Sequence, residues 1–188
     1  MAPLRMGVAA TAIGLWFVLS FLGILQRVNG QTYTIQALGS PASCFGGEPC
    51  IVQPSVGVYK SGSIDITFNG YAYVDMENSP TGSAKLYVGE CDIDDNCGTQ
   101  VSGRIANAYF FNGIATFADL MVKSAGTGYS LKYTLSDNNG NDLAFTYSSN
   151  FDVSVGALFK MHFFLTVGAG TGGSPFSPNP IVALTDKG

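Results

Sequence analysis

The residues best suited to chemistry in this chain form a short acidic loop, Asp92-Ile93-Asp94-Asp95-Asn96-Cys97-Gly98. Oxygen ligands at alternate positions, Asp92, Asp94 and Asn96, imitate the start of a calcium loop, and extracellular calcium is plentiful enough to fill weak sites. The pattern departs from such a loop twice: glycine comes one place late, and the twelfth position from Asp92 is Gly103 in place of a glutamate. The competing reading is a clipped acidic loop with no ion, and Asp137 to Asp142 is a second acidic turn of the same kind. Gly168-Ala169-Gly170-Thr171-Gly172-Gly173 is a literal G-x-G-x-x-G. A dinucleotide would need a helix N-terminus there, which Pro175, Pro178 and Pro180 forbid. His162 is the only histidine, so any triad or His-metal site must pass through it. It sits in Met161-His162-Phe163-Phe164, where a packed or rim residue on a strand is the ordinary reading, and no G-x-S-x-G or H-E-x-x-H accompanies it. The expectation is a protein that is not an enzyme and carries no cofactor.

Four cysteines fall as Cys44-x5-Cys50 and Cys91-x5-Cys97. The x5 spacing is not that of zinc knuckles, and in an exported chain cysteines pair. Gly46-Gly47 and Asp94-Asp95-Asn96 can fold back tightly enough to close two local loops. Of the three connectivities that four cysteines permit, the other two bridge the loops.

Export is read from the N-terminus. Met1 to Arg5 is a short basic region, Met6 to Leu25 is continuously apolar or small, and Val28-Asn29-Gly30 suits cleavage before Gln31, so residues 1–30 read as a signal peptide. The alternative is a signal anchor through residues 6–25, because roughly 20 apolar residues span a bilayer core. The chain is expected to be secreted, and to meet a membrane only if this segment is retained. From Gln31 onward it carries 7 basic and 13 acidic groups, a balance that speaks against nucleic acid as a partner.

The elements that must position these residues are strands. With 24 Gly, 13 Phe and 9 Tyr against 12% charged residues, and short β-rich runs broken by glycine and proline, the chain reads as all-β. Strands are expected over Thr32–Leu38, Gln53–Tyr59, a run from Ile64 to Val74 with a bulge near Gly70, Ala84–Val88 and Ile105–Phe111. Asn112-Gly113 is a hairpin signal. The clearest alternation is Tyr129, Leu131, Tyr133 and Leu135 against Ser130, Lys132, Thr134 and Ser136. After the Asp137–Asp142 turn, Leu143 to Val153 returns with Phe145, Tyr147, Phe151 and Val153 on one parity.

An internal repeat follows. At an offset of 126, residues 46–62 match residues 172–188 at Gly46, Gly47, Pro49, Pro54, Val56 and Gly62. The preceding strands, Thr32–Leu38 and Lys160–Val167, align if about three residues of gap are allowed. Such a period is that of whole domains in an array.

Gly126-x-Gly128-Tyr129-x-Leu131, preceded by Asn112-Gly113, Ala115-Thr116-Phe117 and Leu120, resembles the signature of immunoglobulin-like repeats of filamin and adhesin type in large secreted and cell-surface proteins. Tyr129 at the start of its strand is similar to the tyrosine corner of such sandwiches, with its ring beside Leu131 and Phe117 and its hydroxyl on backbone of the Ala125–Gly128 turn. The resemblance implies an immunoglobulin-like antiparallel β-sandwich over residues 31–157 and the truncated opening of a second repeat over 158–188. It implies a structural or adhesive role, with neighbouring repeats, other extracellular proteins or glycans as partners. The alternative is a ligand-binding module for carbohydrate or calcium. Three of Tyr71, Tyr73, Tyr87 and Tyr109 lying coplanar and exposed would favour it.

Overall fold

The structure, a computed structural model, describes residues 27–28, 31–80, 82, 84–92, 96–165, 168, 170–175 and 177–187. The apolar run at 6–25 and Asp94 lie outside these. The described residues contain no helix, and none is long and apolar enough to cross a membrane. The chain is all-β, built from antiparallel sheets.

In the front sheet, β1 (Arg27–Val28) borders the start of β2 (Gln31–Gly39), beyond which lie β4 (Ser55–Lys60) and β10 (Ile114–Thr116), with β5 (Ser63–Ile64) folded back on β4. The cleavage expected before Gln31 would remove β1. The back sheet is organised around β12 (Gly126–Asp137). One edge of β12 carries β6 (Gly70–Asn78) and then β9 (Asn107–Tyr109). Its other edge is shared by β13 (Asp142–Tyr147) and β14 (Phe151–Ser154), with β3 (Cys44–Phe45) parallel to β14. A small third sheet joins β7 (Leu86–Val88), β8 (Thr99–Gln100) and β11 (Leu120–Val122), and β15 (Lys160–Leu165) pairs with β16 (Ile181–Thr185) in a two-stranded sheet.

The core lies between front and back sheets. Ile35, Val56 and Val58 from the front share one buried cluster with Val74, Leu131 and Tyr133 from the back. Full burial of each such side chain stabilises by about 1.5–3 kcal/mol. The alternation along β12 decides which face is inward, since Tyr129, Leu131, Tyr133 and Leu135 are all fully buried. At Asn112-Gly113 both residues take positive φ, 50° and 76°, and Phe111 pairs with Ile114 across a two-residue turn. This is the geometry that Asn-Gly favours, and here it carries the chain from β9 in the back sheet to β10 in the front.

Three expectations are corrected. Gln53 does not join the strand: its amide clamps the chain by donating to the Cys50 and Leu120 carbonyls (2.8 and 3.2 Å) while its oxygen accepts the Leu120 N–H (2.9 Å). The run from Ile64 to Val74 is broken, because Asp65 turns the chain by accepting the Thr67 N–H and hydroxyl (3.0 and 2.6 Å), leaving Ile66 exposed. The shared parity of Phe145, Tyr147, Phe151 and Val153 fails at Ser148. Its hydroxyl replaces a ladder acceptor for the Leu131 N–H (2.9 Å), so the chain re-enters β14 with Phe151 and Val153 inward, while Tyr147 stays outside and Phe145 is only half-buried.

Two hairpins pair in equivalent registers, with no gap of the kind the sequence alignment called for. In the first hairpin Thr34, Ile35, Gln36 and Ala37 lie opposite Tyr59, Val58, Gly57 and Val56. In the second, Lys160, Met161, His162 and Phe163 lie opposite Thr185, Leu184, Ala183 and Val182, each residue 126 places later with no gap. The register shift between Ala37 and Gly39 recurs between Phe163 and Leu165. In the intervening loop, Glu48 N–H bonds the Phe45 carbonyl and Ser174 N–H the Thr171 carbonyl, both at 3.1 Å, and Gly47 and Gly173 take φ of 75° and 85°.

Candidate functional site

Side chains of alternating residues on β9, β6, β12 and β13 project from the outer face of the back sheet. The pairing register sets them in rows: Tyr109, Tyr71, Ser136 and Asp142, then Asn107, Tyr73, Thr134 and Phe145, then Asp75, Lys132 and Tyr147. This aromatic, polar face is the best candidate interaction surface among the described residues. Tyr71 meets Tyr109 edge to face (5.4 Å, 70°) and tilts against Tyr73 (6.4 Å, 38°), and the Tyr109 hydroxyl donates to Asn69 Oδ1 at 2.6 Å. Two rings are capped by cations: Arg104 lies 5.0 Å from the Tyr73 ring centre and Lys132 5.0 Å from that of Phe145. Arg104 also pairs with Asp142, tying the 101–106 loop to the 137–142 turn. Burial pushes the Asp75 carboxyl up, while a hydrogen bond from the Gly103 backbone and the Lys132 charge pull it back.

Three of the four expected tyrosines therefore come together, but they are angled rather than coplanar, and Tyr87 stands on β7 in the small sheet. Arg104, Lys132, Phe145 and Tyr147 were not legible as members of this face, because membership depends on which strands neighbour β12. The only sequence signal for Phe145 and Tyr147 is their alternation, which does not say which face they take.

At the acidic loop the Asp92 carboxylate accepts the Asn96 backbone N–H (2.9 Å) and side-chain amide (3.2 Å). These two expected ligands thus bind each other. In the second acidic turn Asp137 accepts the N–H groups of Asn139 and Asn141 (2.9 and 2.8 Å) and the Asn141 side-chain amide (2.9 Å). The Asn141 bonds are the larger cause holding its carboxyl below the usual range. His162 is exposed on β15, and the G-x-G-x-x-G stretch runs into the turn at Thr171–Ser174.

The four cysteines pair locally, Cys44 with Cys50 and Cys91 with Cys97. The Tyr129 hydroxyl donates to the Ser124 carbonyl at 2.8 Å, one residue before the expected turn. Its ring packs on Phe151 (5.9 Å), which lies directly opposite it on β14, while Phe117 stacks on Tyr133 (5.7 Å). Tyr129, Leu131 and Phe117 belong to one buried cluster. Between β2 and β13 runs an open groove of about 490 Å³, lined by Gln36, Leu38, Ser40, Thr146 and Tyr147 among others.

Comparison of the sequence with protein-family models and with curated proteins finds no match.

Proposed function

We propose that this chain is a non-catalytic, exported structural and adhesive protein built of immunoglobulin-like modules in tandem. Residues 31–157 are one module and 158–188 open a second. One observation carries the reading: the β2–β4 hairpin recurs at β15–β16 with the same register, bulge and loop turn at a fixed offset of 126 residues. The inward positions of the first hairpin are apolar in the second as well, Ile35, Ala37, Val56 and Val58 becoming Met161, Phe163, Val182 and Leu184. Periodic modules of this size place a repeated surface along a polymer, which suits adhesion and mechanical spacing. Two local disulfides support an oxidising, extracellular setting, and residues 1–30 supply the export signal. Partners are neighbouring modules and other extracellular proteins or glycans. For glycans, the tilted rings and their cation caps favour edge and polar contacts over flat stacking.

The test is truncation. A chain of residues 31–157 should unfold cooperatively with the same denaturant midpoint as residues 31–188, and should bind less of a dye that reports exposed apolar surface. Failure of the shorter chain to fold would refute the modular reading. Secreted material should begin near Gln31, and recovery of membrane-bound full-length chain only would replace the signal peptide with an anchor.

A further inference from the structure

The Cys44–Cys50 loop is not part of the repeat: the counterparts of Cys44 and Cys50 are Gly170 and Phe176. Both disulfide loops nevertheless meet at the open end of the second hairpin. The Cys44–Cys50 loop presents Gly46, Gly47 and Glu48, and Glu90 precedes the Cys91–Cys97 loop. The Cys91 N–H joins the loops by donating to the Gly47 carbonyl (3.1 Å), and Gly46 N–H anchors the turn on the Ser154 carbonyl (2.9 Å).

Into this corner run Asp186 and Lys187. The Asp186 carboxylate accepts the Gly156 N–H at 2.7 Å. The Lys187 ammonium lies 3.3 Å from Glu90 and 3.7 Å from Glu48, and 5.2 Å from the Phe159 ring centre. At Gly47 the Lys187 backbone comes so close that a side chain is excluded, and at Gly46 and Gly156 the fit is tight. A Cβ at Gly47 would stand 2.6 Å from Lys187 Cβ, one at Gly46 3.2 Å from an Asp186 carboxylate oxygen, and one at Gly156 3.3 Å from Asp186 Cβ. Glycine at all three positions leaves the space that the Asp-Lys pair fills.

We propose that the two disulfide-clipped loops form a socket for the following module, recognising the acidic–basic pair at the open end of its first hairpin and fixing the direction in which that module leaves. The proposal rests on the tandem reading and deepens it: these two modules are joined stiffly rather than strung on a flexible linker. The disulfides hold the socket in shape, the two glutamates supply its charge, and the glycines give the close approach.

The experiment uses isotope-labelled residues 31–188 in solution. In the unmodified chain, amides of 160–165 and 181–185 should share one alignment tensor and one tumbling time with the first module, and the Gly156 amide should be protected from exchange. A chain carrying Asp186→Ala and Lys187→Glu, both outside the first module, should lose the common tensor and that protection while first-module shifts away from the socket stay unchanged. Replacing Cys91 and Cys97 by alanine should release the hairpin in the same way. Independent tumbling in the unmodified chain, or no release in either variant, overturns the socket. Cross-strand contacts of Met161 with Leu184 and Phe163 with Val182 report the hairpin separately. Their absence would overturn the tandem reading itself, whereas their presence beside independent tumbling overturns only the joint.

Discussion

Two hairpins of this chain share a register and differ in almost everything that stabilises it. In the first, Ile35 and Val58 are 3% and 0% exposed; their counterparts Met161 and Leu184 are 67% and 59% exposed. Pairing, bulge and loop turn are the same, so these follow from local features: side-chain parity, fifteen-residue loops and a glycine at positive φ. Burial is supplied from elsewhere, by the back sheet that faces Ile35 and Val58. A two-stranded hairpin alone is marginal in water, and the second one is held at its open end by Asp186 and Lys187. The comparison separates what a strand pair encodes for itself from what a whole module gives it.

The sharpest way to break this comparison is to place the same charge at equivalent positions. Val58→Asp buries an unpaired carboxylate and should cost about 4 kcal/mol or more, whereas Leu184→Asp should change first-module stability by under about 0.5 kcal/mol. Denaturant unfolding of residues 31–188 reads both, and equal costs would mean that the second hairpin is part of the first core. Next comes the cover itself. Tyr129→Ala should cost about 3–5 kcal/mol by ring loss and cavity, and Tyr129→Phe about 1 kcal/mol for its bond to Ser124. If both are as mild as Lys132→Ala, the corner does not hold the back sheet. Smaller again, replacing Cys44 and Cys50 by alanine should lower stability by about 2 kcal/mol, the chain entropy of so short a loop, as read by the shift in unfolding midpoint. No loss would show that the first hairpin needs its clip no more than the second, where Gly170 and Phe176 stand in place of Cys44 and Cys50.

Much of this was legible before any coordinates. The alternation on β12, the Asn112-Gly113 turn and the local cysteine pairing are short-range features in which residue type dictates geometry. The misreadings have one common cause. Ile66 left the core because a neighbouring Asp65 could satisfy the backbone locally, and Phe151 and Val153 took the opposite side from Phe145 and Tyr147 because a serine hydroxyl stood in for a ladder bond. In each case a polar side chain competed successfully with strand pairing. The outer aromatic face was invisible for a different reason: it is assembled from four strands spread over residues 70–147, and only their order in the sheet brings them together.

The smallest effect concerns a second tyrosine on the strand that covers the first hairpin. Tyr133 lies two residues beyond Leu131, fully buried, and its ring stacks on Phe117, but its hydroxyl has no hydrogen-bond partner among the described residues. Tyr129 and Tyr133 thus share a strand, a face and complete burial, and differ in whether the hydroxyl is satisfied. A buried hydroxyl without a partner has given up water for nothing in return, so Tyr133→Phe should raise stability by about 1 kcal/mol, opposite in sign to Tyr129→Phe. Burial also pushes the Tyr133 phenol well above its ordinary pKa of about 10. Its proton is therefore held more tightly in the folded chain than in the unfolded one. The stability contributed by that difference is intact below about pH 10 and declines as pH rises beyond it, because only the unfolded chain ionises. Tyr133→Phe removes this site, so its advantage over the unmodified chain should widen in alkali, and unfolding midpoints at pH 7 and pH 11 would measure it. A destabilising Tyr133→Phe, or an advantage that shrinks in alkali, would mean that the hydroxyl finds a partner in the folded protein and that both tyrosines hold the back sheet by the same means.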